Sequence, residues 1–287
     1  MPTTEPSTST PPPSAPPTDA PAAQAWAGQS LDAVHAREDK APRVRAMFGA
    51  IARSYDLNNR LHSFGRDQAW RRAAVKAAAL QRGARVLDVA CGTGDLTEAL
   101  ARTNAREVIG LDFTREMLDV AGVKRDRLAP DLGAKVSYIE GDAMDLPFEN
   151  ATFDALTIAF GIRNVQDPHR ALREFARVLK PGGRLVVLEF DRPRFAPVRW
   201  GNDLYCKVIM PRTAALISRD RSGAYAYLPK SVDQFMDRAQ LGKAILDAGF
   251  VGLTQRPLTL GVCVCHSAAR AAAPTPGATP TQAPSVQ

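Results

Sequence analysis

The chain has 287 residues, a formal net charge of +7 and four cysteines. Four cysteines make no disulfide framework for a domain of this size, so we expect a reducing, cytoplasmic setting. No apolar run reaches the ~20 residues that span a bilayer, and Glu5, with no apolar segment after it, argues against a secretory signal. The positive charge permits nucleic acid or an anionic membrane as a partner.

Both ends of the chain differ in composition from its middle. Pro, Thr, Ser and Ala dominate them, and neither end shows apolar periodicity. Such segments cannot bury enough apolar surface to offset the entropy of ordering. We therefore predict disordered tails at residues 1–39 and 269–287, and one domain between them at residues 40–268.

Strands alternate with helices through that domain. The predicted strands are residues 85–89, 107–111, 135–140, 155–160 and 184–190. This alternation predicts a mostly parallel sheet with helices on both faces. Two more strands, at residues 251–256 and 260–265, are too close for a helical crossover, so they should pair antiparallel.

Two helices are marked by the residues at their ends. Asp167 is a suitable N-cap and Pro168 suits the first helical position, while Pro181-Gly182-Gly183 should end that helix. Further on, Ser231-Val232-Asp233-Gln234 resembles a capping box and predicts a helix that closes near Gly249.

The first predicted strand leads into a turn of small residues, Ala90-Cys91-Gly92-Thr93-Gly94, and then a helix. Small side chains let the backbone approach a ligand closely. Asp112 follows the second predicted strand, the next strand after this turn. An acidic residue at this position suits binding of a ribose with two free hydroxyls. The pattern predicts a nucleoside-type cofactor, against the alternative of a purely structural turn.

The glycine spacing of the turn narrows the choice of cofactor. A bound pyrophosphate usually needs G-x-G-x-x-G, which is absent here. S-adenosylmethionine has no phosphates, and a terminal antiparallel strand pair resembles the arrangement of class I methyltransferases. A dinucleotide dehydrogenase would more often continue with parallel strands.

Three further segments carry a more specific resemblance. They are residues 47–65, which include Tyr-Asp-Leu-Asn-Asn, residues 160–165, Phe-Gly-Ile-Arg-Asn-Val, and residues 177–190, which include Lys-Pro-Gly-Gly. Together they resemble the menaquinone/ubiquinone biosynthesis C-methyltransferase family over about residues 40–266. The Lys-Pro-Gly-Gly segment is common to many methyltransferases, whereas the other two are specific.

The resemblance implies a Rossmann-like class I methyltransferase fold, a mostly parallel seven-stranded sheet with a terminal antiparallel pair. It implies transfer of methyl from S-adenosylmethionine to a ring carbon of a prenylated quinol, demethylmenaquinol. The equivalent reaction on 2-polyprenyl-6-methoxy-1,4-benzoquinol, in ubiquinone biosynthesis, is the alternative. Another small-molecule methyltransferase and a non-catalytic S-adenosylmethionine-binding protein also stay open.

The expected cofactor site lies at the carboxyl ends of the strands. We expect the first turn to hold the methionine portion, the second strand end the ribose, and the third strand end the adenine. The candidates are Asp88, Gly92, Thr93, Gly94, Asp112, Asp142 and Ala143. The family often has Ser where this chain has Ala159, which removes one hydroxyl contact.

The expected acceptor site follows the fourth strand. Arg163 would stabilise a developing phenolate and Asn164 would bind a quinol oxygen; loop structure is the alternative for both. Tyr55 or Asp56 would assist deprotonation from an N-terminal element that closes over the site, with a structural role as the alternative for Asp56. His62 would line the quinol pocket. The chain has no H-x-E or H-E-x-x-H arrangement, and the reaction requires no metal, so no metal site is expected.

Residues 192–222 mix cations with large apolar side chains. One interpretation is a charged helical insertion packed on the sheet. The other is a helical cap over the isoprenoid chain, with its basic rim against anionic lipid at the inner face of the cytoplasmic membrane. No RNA-binding module accompanies the positive charge, so nucleic acid is not expected as a partner. A homodimer is compatible with these expectations.

Overall fold

The computed structural model describes residue 26, residues 31–210 and residues 223–272. Seven strands form one sheet in these ranges: β1 Arg85–Val89, β2 Glu107–Asp112, β3 Val136–Glu140, β4 Phe153–Ala159, β5 Leu179–Phe190, β6 Phe250–Leu258 and β7 Cys263–Arg270. Their order across the sheet is β3-β2-β1-β4-β5-β7-β6. Strands β1 to β5 pair parallel, and β7 pairs antiparallel with both β5 and β6. The predicted mostly parallel sheet with a terminal antiparallel pair is confirmed.

Ten α-helices accompany this sheet in the described ranges. They are α1 Lys40–Ile51, α2 Tyr55–His62, α3 Arg66–Ala78, α4 Asp95–Ala101, α5 Arg115–Arg125, α6 Pro130–Gly133, α7 Pro168–Val178, α8 Ala196–Leu204, α9 Ala224–Asp233 and α10 Arg238–Asp247. A π-helix, Tyr205–Ile209, continues α8. Among the described residues, no helix is both long and apolar enough to cross a membrane.

The sheet is covered on both faces because successive strand residues point to opposite sides. In β1, Val86 belongs to a core that includes Trp70 of α3, whereas Leu87 belongs to a core that includes Phe175 of α7. Val86 and Leu87 are fully buried. Each such side chain contributes about 1.5–3 kcal/mol by its removal from water.

The predicted helix after β4 is confirmed at both ends. The Asp167 carboxylate accepts from the backbone N–H of Arg170 at 3.0 Å, Pro168 is the first helical residue, and the helix ends at Val178. The following strand begins earlier than predicted, at Leu179. The pairing with β4 is irregular there, because Lys-Pro-Gly-Gly bulges out before the register resumes at residue 184.

The capping box predicted at Ser231 is wrong. Ser231 lies inside α9, and its hydroxyl donates to the carbonyl of Leu228 at 2.9 Å. The capping box is six residues further on, where Asp237 and Gln240 cap α10 reciprocally. Both sequences have an acceptor three residues before a glutamine, so the local pattern alone does not separate them.

Residues 31–39, which the sequence assigns to the tail, lie against the domain. Val34 is fully buried, His35 Nε2 lies 2.8 Å from the carbonyl oxygen of Ser231, and Trp26 stacks on Tyr227 with ring centroids 4.8 Å apart. At the other end, β7 extends to Arg270, beyond the predicted boundary. Of the predicted cap at residues 192–222, residues 211–222 lie outside the described residues, as do residues 273–287 of the predicted C-terminal tail.

Candidate active site

Two cavities lie at the carboxyl ends of the parallel strands, the edge at which open α/β sheets bind ligands. The large cavity, of about 500 Å³, is bounded by α2, α3, α9 and the end of β5. The small cavity, of about 80 Å³, follows the ends of β1, β2 and β4. Phe48, Tyr55 and Phe160 line both, so the two cavities adjoin.

Asp112 joins the first turn to the end of β2. Its Oδ2 accepts from the backbone N–H of Gly92 at 2.8 Å and its Oδ1 from that of Thr114 at 2.9 Å. Burial raises the pKa of this carboxyl. Each oxygen still has a lone pair to offer, and Asp112 lines the small cavity. Gly92 has a φ of +56°, and a Cβ added there would meet no heavy atom within 4 Å, so this backbone faces open space.

The end of β3 brings two more predicted residues to the small cavity. Asp142 is exposed at its edge, where its Oδ1 accepts from the backbone N–H of Met144 at 2.8 Å. Ala143 is buried beside it. The small cavity thus collects Gly92, Asp112, Asp142 and Ala143, four of the seven predicted cofactor residues.

The other three predicted cofactor residues are not among the described residues that line either cavity. Asp88 is buried behind the turn, where it accepts from the hydroxyls of Thr97 at 2.7 Å and Thr157 at 2.6 Å. Burial raises its pKa to about 6. These contacts tie β1 to α4 and β4.

Thr93 and Gly94 fix the turn to its neighbours. The Thr93 hydroxyl donates to Asp56 at 2.5 Å, and Lys124 donates to the other oxygen of that carboxylate at 2.8 Å. Gly94 has a φ of +84°, and a Cβ there would overlap the side chain of Tyr138. The turn is therefore clamped between α2 and β3.

Phe160 stands between the two cavities in a left-handed conformation, with a φ of +59°. That conformation costs a non-glycine residue about 1–2 kcal/mol, and such strain clusters at functional sites. Its carbonyl accepts from Arg163 Nη1 at 2.7 Å and from Asn164 Nδ2 at 3.2 Å. Phe160 was not among the predicted site residues, although its position just after a buried strand and before a glycine is a signal in the sequence.

Arg163 and Asn164 are both buried, and they face different cavities. Arg163 pairs with Glu189 at 2.6 Å and lines the large cavity. In the part of the chain that the structure describes, its Nη2 has no protein acceptor. Asn164 accepts from the Tyr227 hydroxyl at 3.0 Å and lines the small cavity.

Tyr55 and His62 lie at the two ends of α2. Burial raises the pKa of Tyr55, so its phenol is protonated at neutral pH. Burial lowers the pKa of His62, so its imidazole is neutral there. His62 lines the large cavity, and its Nδ1 lies 3.1 Å from the Tyr205 hydroxyl.

The large cavity has an aromatic wall that the sequence analysis missed. The rings of Phe160 and Phe190 lie 4.6 Å apart, and Trp70 meets Phe190 edge-on at 6.0 Å. Trp70 is oriented by a 2.8 Å hydrogen bond to Thr259. Trp70 and Phe190 thus meet in the edge-to-face arrangement that aromatic side chains prefer.

The described residues contain no group of three or more His, Cys, Asp or Glu side chains placed to hold a metal ion.

Residues 35–270 match the model of the ubiE/COQ5 methyltransferase family. The chain belongs to the ubiE/COQ5 methyltransferase family. It is 44% identical over 243 residues to a demethylmenaquinone methyltransferase of Clavibacter sepedonicus, which covers 83% of this chain and 96% of that protein. It is 40% identical over 248 residues to the ubiquinone/menaquinone biosynthesis C-methyltransferase UbiE of Erwinia tasmaniensis, covering 84% and 98%.

Solved structures share the fold of this ubiE/COQ5 family member. A SAM-dependent methyltransferase from Thermotoga maritima superposes with a TM-score of 0.52 at 21% identity, covering 78% of this chain and 99% of that one. Another, from Aquifex aeolicus, gives a TM-score of 0.53 at 18% identity, covering 75% and 97%. The predicted class I methyltransferase fold is confirmed.

Proposed function

We propose that this protein transfers a methyl group from S-adenosylmethionine to a ring carbon of demethylmenaquinol, in menaquinone biosynthesis. The observation that carries the proposal is the junction of two unlike cavities. The small one has the carboxylate and glycine expected around a nucleoside. The large one is mainly apolar with a few buried polar groups, as prenylated ring substrates require.

The residues of the small cavity fit S-adenosylmethionine. Asp112 would bind the ribose hydroxyls, Asp142 the adenine amino group, and the open backbone at Gly92 the methionine portion. When bound, this co-substrate supplies a methyl group already activated by its sulfonium. At about 80 Å³ the cavity is smaller than the ~300–1,000 Å³ usual for ligands, and Phe48 of α1 and Tyr55 of α2 are among its lining residues. We propose that α1 and α2 move outward when the co-substrate binds.

The chemistry proposed for the large cavity concerns the acceptor. A quinol that loses a phenolic proton places negative charge on the adjacent ring carbon, whereas a quinone is electron-poor. Arg163 would stabilise that phenolate through Nη2, which has no acceptor among the described residues, and Asn164 would bind a quinol oxygen. Neutral His62 is able to accept the phenolic proton, and protonated Tyr55 to donate a hydrogen bond. Once the ring carbon carries the methyl group, its hydrogen leaves as a proton and the quinol oxygen regains one, which restores the aromatic diol.

We propose that the mouth of the large cavity lies against an anionic membrane. Phe64, which is 78% exposed, lines the cavity together with Arg66 and Arg192. Phe195 and Trp200, 67% and 72% exposed, follow Arg192 in the chain, at the start of α8 and within it. Exposed aromatics with cations are typical of interfacial attachment. If the protein sediments with anionic vesicles and Trp200→Ser does not, the result would support this contact. That the protein forms a homodimer stays a prediction.

The decisive experiment is methyl transfer under reducing conditions. Purified protein with labelled S-adenosylmethionine should methylate demethylmenaquinol, and the oxidised quinone should not react. The methoxy-benzoquinol of ubiquinone biosynthesis is the second substrate, since one relative is named for both pathways. Transfer to the methoxy-benzoquinol alone would select the alternative, and transfer to neither would refute the proposal.

A matched pair of variants tests the cofactor site. Asp112→Ala should lose S-adenosylmethionine binding in calorimetry. Asp119→Ala removes an exposed carboxylate of α5 that pairs only with Arg115 in the described structure, so its affinity should be unchanged. Equal affinities in both variants would contradict the assignment of Asp112.

A further inference from the structure

Arg71 of α3 is a buried cation in the wall of the large cavity. It is 7% exposed. Its Nη1 donates to the Asp67 carboxylate at 3.1 Å and to the Asp67 carbonyl at 3.4 Å. Asp67 is itself held by Ser63, whose hydroxyl donates to it at 3.0 Å. The guanidinium is therefore fixed on one side.

On the other side of that guanidinium, the described residues supply no hydrogen-bond acceptor. Within residues 31–210 and 223–272, Nε and Nη2 of Arg71 have no acceptor, and Arg71 lines the large cavity. A guanidinium has five N–H donors. Nε and Nη2 are not among the fully buried atoms without a partner, so they are open to the cavity, where an oxygen of the ligand can accept from them.

Arg71 and Arg163 have corresponding places at the aromatic wall. Arg71 Cζ lies 5.7 Å from the ring centroid of Phe160, and Arg163 Cζ lies 5.3 Å from that of Phe190. Phe160 and Phe190 are neighbours, with centroids 4.6 Å apart. Each cation has one nitrogen on a buried carboxylate and another without a protein acceptor in the described structure.

We propose that Arg71 binds the second oxygen of the quinol, the one para to the reacting oxygen, while Arg163 holds the reacting one. This assignment rests on the proposed function. Arg163 is next to Asn164, which lines the small cavity. The quinol oxygen held by Arg163 is therefore the one beside the methylated carbon. Two points of attachment fix the rotation of the ring and thereby the carbon that meets the methyl donor.

The test compares two acceptors that differ by one hydroxyl. The first is the prenylated naphthalene-1,4-diol, and the second is the prenylated 1-naphthol that keeps only the hydroxyl beside the methylated carbon. A hydrogen bond to a charged group contributes about 1.5–3 kcal/mol, or roughly 10- to 100-fold in affinity. The wild-type protein should prefer the diol by that factor, both in Kd, from quenching of tryptophan fluorescence, and in kcat/KM.

Arg71→Ala should weaken diol binding to the level of the naphthol and leave naphthol binding unchanged. Arg71→Lys keeps a positive charge beside Asp67 but loses the planar set of guanidinium donors, so it should lose most of the preference for the diol over the naphthol. Because the charge is kept, this variant also shows whether a loss in Arg71→Ala is due to misfolding. Arg72→Ala, at the exposed neighbouring position, is the control and should keep the preference.

If Arg71→Ala and Arg71→Lys lose affinity equally for the diol and the naphthol, Arg71 has a structural role and the proposal is overturned. The proposal is also overturned if both variants still prefer the diol. Binding is measured apart from turnover. A wild-type protein that prefers the diol through Arg71 but transfers no methyl would therefore refute the proposed function and leave the role of Arg71 standing.

Discussion

Gly161 offers a direct test of how closely the two loops of the small cavity approach each other. Its φ of −106° suits any residue, so substitution adds no backbone strain. A Cβ at this position would lie 2.5 Å from the Cβ of Ala90 and 3.1 Å from Cγ1 of Ile158. Carbon atoms pack at about 3.5–4.0 Å, so one of the two loops has to shift by roughly 1 Å.

Gly161→Ala should therefore destabilise the protein and damage the site together. Overpacking of this kind costs about 1–3 kcal/mol. At about 2–4 °C per kcal/mol for a domain of this size, the melting temperature should fall by roughly 2–12 °C. Both loops line the small cavity, and a displacement of ~1 Å is enough to lower kcat/KM about 100-fold.

Two further variants serve as a control and as a compensating substitution. Gly122→Ala, inside α5 with no heavy atom within 4 Å of the added Cβ, should raise the melting temperature, because alanine favours a helix by about 0.5–1 kcal/mol. Ala90 has a φ of +50°, so Ala90→Gly removes the clashing methyl at a position that suits glycine. If Gly161→Ala has the melting temperature and kcat/KM of the wild type, close approach of the two loops is not the reason for glycine at position 161. The same follows if adding Ala90→Gly to Gly161→Ala restores neither quantity.

Three more predictions concern single side chains of the domain. Burial lowers the pKa of His266 from 6.5 to about 4, so the unfolded chain binds the proton first and stability falls as the pH drops from 6.5 towards 4. The loss should reach about 2 kcal/mol at pH 5 in urea unfolding, and His266→Gln should flatten this dependence; an unchanged slope would contradict it. Glu189→Gln leaves buried Arg163 without its carboxylate and should lower the free energy of unfolding by about 3–5 kcal/mol, so an unaltered urea midpoint would argue against a buried ion pair. Asp56→Ala removes the acceptor of the Thr93 hydroxyl, so the amides of α2 should exchange hydrogen faster; unchanged protection would mean that α2 is held elsewhere.

The sheet and the small cavity were predictable because their signals are local. A strand that ends in a small-residue turn identifies Gly92, and the next strand end identifies Asp112, without any knowledge of distant neighbours. The parallel sheet then brings both ends to one edge. The same reasoning named Asp88, whose carboxylate accepts from two threonine hydroxyls behind the turn.

The large cavity was less predictable, because its wall comes from segments far apart in the chain. Arg71 stands beside an exposed arginine on a helix, and only the packed structure separates the buried cation from the exposed one. Glu189 and Phe190 end a buried strand and show no motif of their own. Ser231 matched a helix-start pattern, although its fully buried position inside α9 places its hydroxyl 3.3 Å from Nε of Arg163.

The contacts of the N-terminal segment have a consequence for the order of folding. Trp26 stacks on Tyr227, and the backbone N–H of Val34 donates to Gln234, 200 residues away. Such distant pairs form late, since the entropy of closing a long loop has to be overcome first. A nascent chain can pair β1 to β4 well before residue 234 leaves the ribosome. The part of the large cavity that Tyr227 lines is therefore completed late, by the two ends of the domain together.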